Sequence, residues 1–308
     1  MRVSTNMLYQ TGVARISDLN TALNKTMQQI STNRRVLTPA DDAVAAARAL
    51  DLSQAQSVNA QYGVNRQNVK SSLNQEESVL QGVTSLLQSV KATLVGAGNG
   101  ALSDTDRASI ATELRGRFDE LLGLANTTDG AGSYLFSGHQ TATPAFARTA
   151  AGAQYQGDDG QRQLLVEASR QMNMSDTGRT IFQGNGAAGE DVFNTLQDVI
   201  TLLETPVNAD PGRKAALTAG LATANGNIDK SLNNVLTVRS AIGSRLNEID
   251  ALDDTGGARD ILYQENIADL IGLDTVEAYS RLVQQKITLE AAQQAYVNTS
   301  RLSLFQFM

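Results

Sequence analysis

One histidine, one glycine-rich loop and two aspartate pairs are the residues of this 308-residue chain whose types and spacing could do chemistry. His139, in Ser137-Gly138-His139-Gln140, could act as a general base, but a triad also needs a nucleophile and an orienting acid, and the sequence points to neither. A surface or packing histidine is the better reading. Gly184-Asn185-Gly186-Ala187-Ala188-Gly189 has the spacing with which a backbone approaches a pyrophosphate at a helix N-terminus. A dinucleotide site also needs a following parallel strand ending in an acidic ribose ligand. Here the acid at about the right distance, Glu204, ends a helical pattern, and Pro206 and Pro211 follow it. The glycines read instead as a flexible connection behind a strand-like Thr180-Ile181-Phe182. Asp158-Asp159 fall short of a calcium loop and read as a hairpin turn, while Asp41-Asp42, after Pro39 and before an alanine-rich run, read as helix N-caps. With 0 Cys there is no disulfide, thiolate cluster or catalytic thiol, and a single His excludes a multi-histidine metal site. No catalytic residue, metal ligand or cofactor is assigned, and the chain is read as a non-enzyme.

The elements that would have positioned such residues carry more information. Hydrophobic residues make up 41 % but aromatics only 5 %, with 0 Trp, so Ala, Leu, Val and Ile must supply most of the burial, which favours helix-on-helix packing. Only 4 Pro interrupt the chain, so long helices are allowed. The balance of 25 Lys+Arg against 32 Asp+Glu, net −7, has the wrong sign for a dedicated nucleic-acid binder. No run approaches the roughly 18 apolar residues of a membrane span. Neither nucleic acid nor membrane is expected as a partner. The first residues, Met1 to Met7, lack the apolar core of a cleavable secretory signal, so on these rules alone the chain reads as cytoplasmic.

Ile16, Leu19, Leu23, Met27 and Ile30 form a thin apolar stripe on one helix face, broken at Leu37-Thr38-Pro39. A second helix, from about Ala43 to Val95, carries Leu80, Val83, Leu87, Val90 and Leu94 at alternating spacings of three and four, with Glu76 in its polar slot. That is a coiled-coil seam on a rod. The glycines of 96–100 end it, Ser103 and Asp106 offer a capping box, and Ile110, Leu114, Phe118, Leu121 and Ala125 stripe a helix that should fold back antiparallel. From Gly130 to Phe182, Tyr134/Phe136 and Leu164/Val166 alternate among turn residues, predicting short strands in a small β-rich insertion that leans on the rod. Val192, Leu196, Val199 and Leu203 resume a helix, and Leu221, Ile228, Val235, Ile242 and Ile249 then repeat at unbroken sevens. Asp253-Asp254-Thr255-Gly256-Gly257 is read as a hinge, before a last thin stripe of Ala278, Leu282, Leu289, Ala292 and Tyr296.

The layout is nearly a palindrome, and the expected fold is mainly α. A long antiparallel helical-bundle or coiled-coil rod is formed by the N- and C-terminal halves, 44–129 and 190–260, with a small β-rich inserted domain at 130–189 and terminal helices at 1–43 and 261–308. Residues 1–43 hold five Lys/Arg against three Asp/Glu and residues 265–308 three against five, a mild reason for the ends to associate. Both terminal helices have too little apolar face to be stable alone, so they are expected to be disordered in the free monomer and to order on pairing or assembly.

Specific residues extend this reading. Arg34-Arg35-Val36-Leu37-Thr38-Pro39-Ala40-Asp41-Asp42 resembles the segment that follows the N-terminal helix throughout the flagellin superfamily. Within it, the run from Thr127 to Phe146 (including Tyr134-Leu135-Phe136-Ser137-Gly138-His139-Gln140), Tyr155-Gln156-Gly157-Asp158-Asp159-Gly160-Gln161 and the ending Leu302-Ser303-Leu304-Phe305-Gln306-Phe307 are similar to the hook-associated protein 3 family. The resemblance implies a structural junction subunit at the distal end of the hook, required for motility. Its neighbours would be hook-associated protein 1 and flagellin, with copies of itself in a ring. It further implies export through the flagellar type III system to the cell exterior without a cleaved signal peptide, and a dedicated export chaperone that binds near the C-terminus. Carried onto this chain, the chaperone surface is the helix with Leu282, Leu289 and Tyr296, which later pairs with Ile16, Leu19, Leu23 and Ile30 in the inner tube. The competing readings are a filament flagellin subunit and, more remotely, a secreted coiled-coil binding or effector protein.

Overall fold

A computed structural model describes residues 2–184, 191–207 and 210–305. Six α-helices dominate: α1 (Arg2–Thr32), α2 (Ala43–Ala97), α3 (Asp104–Ala125), α4 (Val192–Glu204), α5 (Pro211–Ile271) and α6 (Thr275–Phe305). Between α3 and α4 lie four short strands, β1 (Phe146–Thr149), β2 (Gly152–Tyr155), β3 (Gln163–Glu167) and β4 (Arg170–Asn173), then a π-helical turn at Arg179–Gln183. The chain divides into a terminal unit, Met1–Ala60 with Gly257–Met308, and a central unit, Gln61–Gly256, so α2 and α5 contribute to both.

In the central unit the heptad residues form the core. Leu73, Leu80, Val83, Leu87, Val90 and Leu94 of α2 are buried in one cluster with Leu114, Phe118 and Leu121 of α3 and with Leu221, Ile228, Val235, Ile242 and Ile249 of α5. Chain direction follows from cross-helix pairs. Arg66, Lys70 and Lys91 of α2 pair with Asp253, Asp250 and Asp229 of α5, so α5 descends as α2 rises. Thr93 reaches Glu113 while Gln75 donates to the Thr128 carbonyl, which sets α3 antiparallel to α2 as well. α3 starts where the sequence placed it. Ser103 Oγ accepts from Asp106 N at 3.1 Å and Asp106 Oδ2 accepts from Ser103 N at 3.0 Å, a reciprocal capping box.

The insertion consists of two separate two-stranded antiparallel sheets, β1–β2 and β3–β4, the second carrying a bulge between Leu165 and Glu167. Two-stranded ribbons cannot bury a core of their own, and these borrow one. Phe146 sits 5.5 Å from Phe182 and 4.9 Å from Phe193 of α4, centroid to centroid, while Phe193 sits 5.6 Å from Phe118 of α3. Most of the chain's phenylalanines are thus concentrated where the strands meet the helices. Bundle side chains also satisfy the insertion's backbone: Asn65 donates to the Leu165 carbonyl at 2.7 Å, and Asn234 to those of Thr180 and Ile181 at 2.6 and 2.9 Å.

Asp253–Gly257, read as a weak point or hinge, lies within α5, which continues unbroken to Ile271, and the boundary between the two units falls inside it, at Gly256–Gly257. Gly256 is there for space: a Cβ on it would stand 2.5 Å from Nη2 of the buried Arg66, whose Nε donates to Asp253 at 2.5 Å and whose Nη1 donates to the Val166 carbonyl at 3.1 Å. Three other local readings are corrected. Leu135 and Phe136 are consecutive buried residues in a turn-rich segment, with a single bridge from Thr128 to Tyr134 in place of a strand. Ile181 and Phe182 belong to the π-helical turn, where both side chains point into the core. Asp158-Asp159 join β2 to β3, which do not pair, so they form a connection between hairpins rather than a hairpin turn.

Candidate assembly interface

None of the chemistry-capable residues converges on a reacting centre. His139 is exposed, and its backbone N–H, 2.8 Å from Asp158 Oδ1, makes its link to that carboxylate. This bond, with a second from Gly160 N at 2.9 Å, holds the Asp158 carboxyl below its ordinary range. Among the described residues no group of three or more His, Cys, Asp or Glu could hold a metal, and no helix is long and apolar enough to cross a membrane. Residues 185–190 of the glycine-rich motif, and the chain from Gln306, lie outside the described residues.

The terminal unit holds the most organised polar arrangement tied to a sequence motif. α1 ends at Thr32, and Asn33 takes the left-handed conformation (φ 54°) that turns the chain out of the helix. Arg35 then reaches the C-terminal end of α5: its N–H donates to the Ile271 carbonyl at 2.7 Å and its Nη2 to the Leu270 carbonyl at 2.8 Å. Those carbonyls are otherwise orphaned at a helix end, where a cation also meets the negative pole of the helix dipole. Gln29, buried, donates from Nε2 to the Arg35 carbonyl at 2.6 Å, and Arg34 bridges to Gly272. The paired aspartates divide the remaining work. Asp42 caps α2 by accepting from Ala45 N at 2.9 Å, as expected of an N-cap. Asp41 caps the preceding loop, accepting from Leu37 N and Thr38 N at 3.0 Å each and pairing with Lys25 of α1. Lys25, then the Thr38 N–H, lowers the Asp41 carboxyl to about 2. The Ala45 N–H, then Arg35, lowers that of Asp42. Beside this clamp opens a cleft of about 340 Å³ lined by Val36, Leu37, Pro39, Ala49, Ile267 and Ile271.

α1 and α6 pack against each other. Tyr9 and Tyr296 meet edge to face with centroids 6.0 Å apart, and Gly12 leaves room for the Tyr296 ring, which a Cβ there would approach to 3.0 Å. Of the seven residues assigned to the interface from sequence, Leu289 is buried, while Ile16, Leu19, Leu23, Ile30, Leu282 and Tyr296 are half-buried. They share the inward faces. Met27, read as part of the same stripe, is 44 % exposed. A second stripe on α6 escaped the sequence reading. Val276, Tyr279, Val283 and Ile287 recur at spacings of three and four, about 115° around the helix from Leu282 and Leu289 by the 3.6-residue period, and are 56–77 % exposed. The signal was present in the spacing but was masked by the better-formed inner stripe. Among the described residues, large exposed apolar side chains concentrate in the terminal unit, and only Val64, Val95 and Leu236 fall in the central one. An exposed apolar patch of this kind is a candidate contact surface.

The chain thus combines a unit in which the two terminal helices pair with a helical bundle bearing a small inserted β region. Residues 3–141 match the bacterial flagellin N-terminal helical region. The chain is 39 % identical over 316 aligned positions to flagellar hook-associated protein 3 of Escherichia coli (strain K12), covering 99 % of each chain. Its likeness to the flagellin of Bacillus subtilis (strain 168), 31 % identical, spans only 47 % of this chain and 49 % of that one. The structure of a flagellar hook-associated protein from Vibrio parahaemolyticus superposes with a TM-score of 0.67 at 28 % identity, over 75 % of this chain and all of that one. The chain belongs to the flagellar hook-associated protein 3 family.

Proposed function

We propose that this protein is a structural subunit of the bacterial flagellum that joins the hook to the flagellin filament and works by burying, on assembly, apolar surface that the single chain leaves exposed, without catalysis. The observation that carries this reading is the terminal unit: its inward stripes are used in α1–α6 pairing, while the stripe of Val276, Tyr279, Val283 and Ile287 stays uncovered. In an assembled ring, copies of the same chain bury that outer stripe, with hook-associated protein 1 on the hook side and flagellin on the filament side. Residues 1–43 and 261–308 then form the inner tube, residues 44–129 and 190–260 supply lateral contacts, and 130–189 faces outward. The protein reaches the distal end of the hook, outside the cell, through the flagellar type III system. Before export a dedicated chaperone holds the helix bearing Leu282, Leu289 and Tyr296. Likeness along the whole chain to a hook-associated protein, against half the chain for a flagellin, favours the junction role over the filament role.

Deleting the gene tests this directly. The junction role predicts cells with bare hooks and monomeric flagellin released into the medium. Bare hooks with no flagellin antigen released would make the chain the filament subunit instead.

A further inference from the structure

Three acids and two guanidinium groups meet where α2, α5 and the segment after β4 come together. Glu76, the polar residue in the apolar seam of α2, is 0 % exposed. Both of its carboxyl oxygens accept from the backbone N–H of Asp176, at 3.1 and 3.3 Å. The Asp176 carboxylate is paired with Arg245 of α5. On α2, Glu77 is paired at 2.6 Å with Arg239 of α5, which also donates to Thr84 at 3.3 Å. Each guanidinium is therefore matched to one carboxylate. Glu76 is the third acid, holding a backbone N–H and facing two neighbouring carboxylates. An ionised group there would be stripped of water and repelled by Asp176 and Glu77, with the Asp176 N–H and the attraction of Arg245 in its favour.

We propose that Glu76 is held in the folded protein as a neutral carboxylic acid and serves as a proton-dependent clasp, tying the segment after β4 to α2 and loosening it as the proton is lost. Burial first, and the Asp176 charge second, push the carboxyl from 4.5 up to about 8, against the opposing pull of the Asp176 N–H and Arg245. The unfolded chain gives up this proton above its ordinary value, whereas the folded protein keeps it until about pH 8. The clasp's contribution is thus whole below about pH 4.5, falls as pH rises through the window between the two values, and levels off above the upper one. Within that window one retained proton changes the folded-to-unfolded ratio by up to about tenfold per pH unit. The consequence for the molecule is an alkaline limit on how firmly the β insertion is held to the helical bundle.

The test is a carbon-13 titration of the glutamate carboxyl resonances of the full chain, with Glu76 assigned by its loss in Glu76→Gln. The proposal expects the Glu76 resonance to move near pH 8, apart from the exposed glutamates; a midpoint among those others near the ordinary value would overturn it. Denaturant unfolding of the wild type and Glu76→Gln supplies a second readout. Between pH 5 and pH 7 the unfolding constant of the wild type should rise by roughly 70-fold relative to that of the variant. A ratio unchanged over that interval would contradict the clasp. Should the variant fail to fold, the wild-type resonance, assigned by backbone connectivity, still decides.

Discussion

Arg35 and Asp41 show how single residues of one short motif tie the two ends of the chain together. Arg35 closes the last carbonyls of α5, and Asp41 holds the loop and Lys25 of α1. Arg35→Ala should cost about 1–2 kcal/mol, read as faster amide exchange in α1 and at the C-terminal end of α5 with the central unit unchanged. For Asp41 the direction with pH is set by its lowered carboxyl. An acid whose folded-state value lies below its unfolded one contributes stability above the unfolded value and loses it as pH falls through the folded one. Asp41→Asn should therefore lower the melting temperature of the terminal unit at neutral pH, and the gap to the wild type should close between about pH 3.8 and about pH 2. Gly256 supplies the counterpart in the central unit. In an exposed helix alanine would stabilise by about 1 kcal/mol over glycine, but here a Cβ meets Arg66, so Gly256→Ala should destabilise. A stabilised variant on thermal melting would contradict this close approach of Arg66. The sequence shows the double glycine but not the arginine that comes to lie against it, because Arg66 is brought there only by the pairing of α2 with α5.

At the scale of elements, what was readable depended on how strictly a period was kept. The sevens of α5 and the three-four alternation of α2 are all core, because helices that pair along their length repeat the same environment every two turns. The Ser103–Asp106 box was equally legible, since capping is local chemistry. The β insertion was legible as a region but not strand by strand. Tyr134/Phe136 alternate in sequence while Leu135 between them is buried too, and Thr180–Phe182 curl into a π-helical turn to bring two side chains into the aromatic core. Those outcomes depend on Phe118 and Phe193, which are distant in sequence. Phe146→Ala, removing the ring that touches Tyr155, Phe182 and Phe193, should cost about 3–5 kcal/mol and expose β1–β2 to proteolysis while α5 stays helical. In the terminal unit Leu289→Asp places a charge on the buried face of α6 and should cost about 3 kcal/mol or more, measured as loss of amide protection along α1 and α6. Protection retained in both helices would mean that Leu289 is not part of the seam.

For the whole molecule, the division of labour follows from where apolar surface is spent. The central unit buries its seams within one chain, whereas the terminal unit keeps a stripe outside. Composition hinted at this only as thin stripes, and the sequence reading assigned the inward residues to assembly because they carried the cleaner repeat. Leu282, Leu289 and Tyr296 are buried or half-buried within the chain, and Val276, Tyr279, Val283 and Ile287 are exposed and form the stripe proposed to meet neighbours. The most direct test is to supply a strain lacking the gene with a Val283→Asp/Ile287→Asp variant and to ask whether it enters purified hook–filament structures. Both positions are exposed in the free chain, so the variant should keep wild-type helix content and the α1–α6 pairing. The account predicts that it is made and folded yet absent from the hook tip, leaving bare hooks, released flagellin and non-motile cells. Normal incorporation and full-length filaments would contradict the claim that this outward stripe is the surface through which the protein assembles.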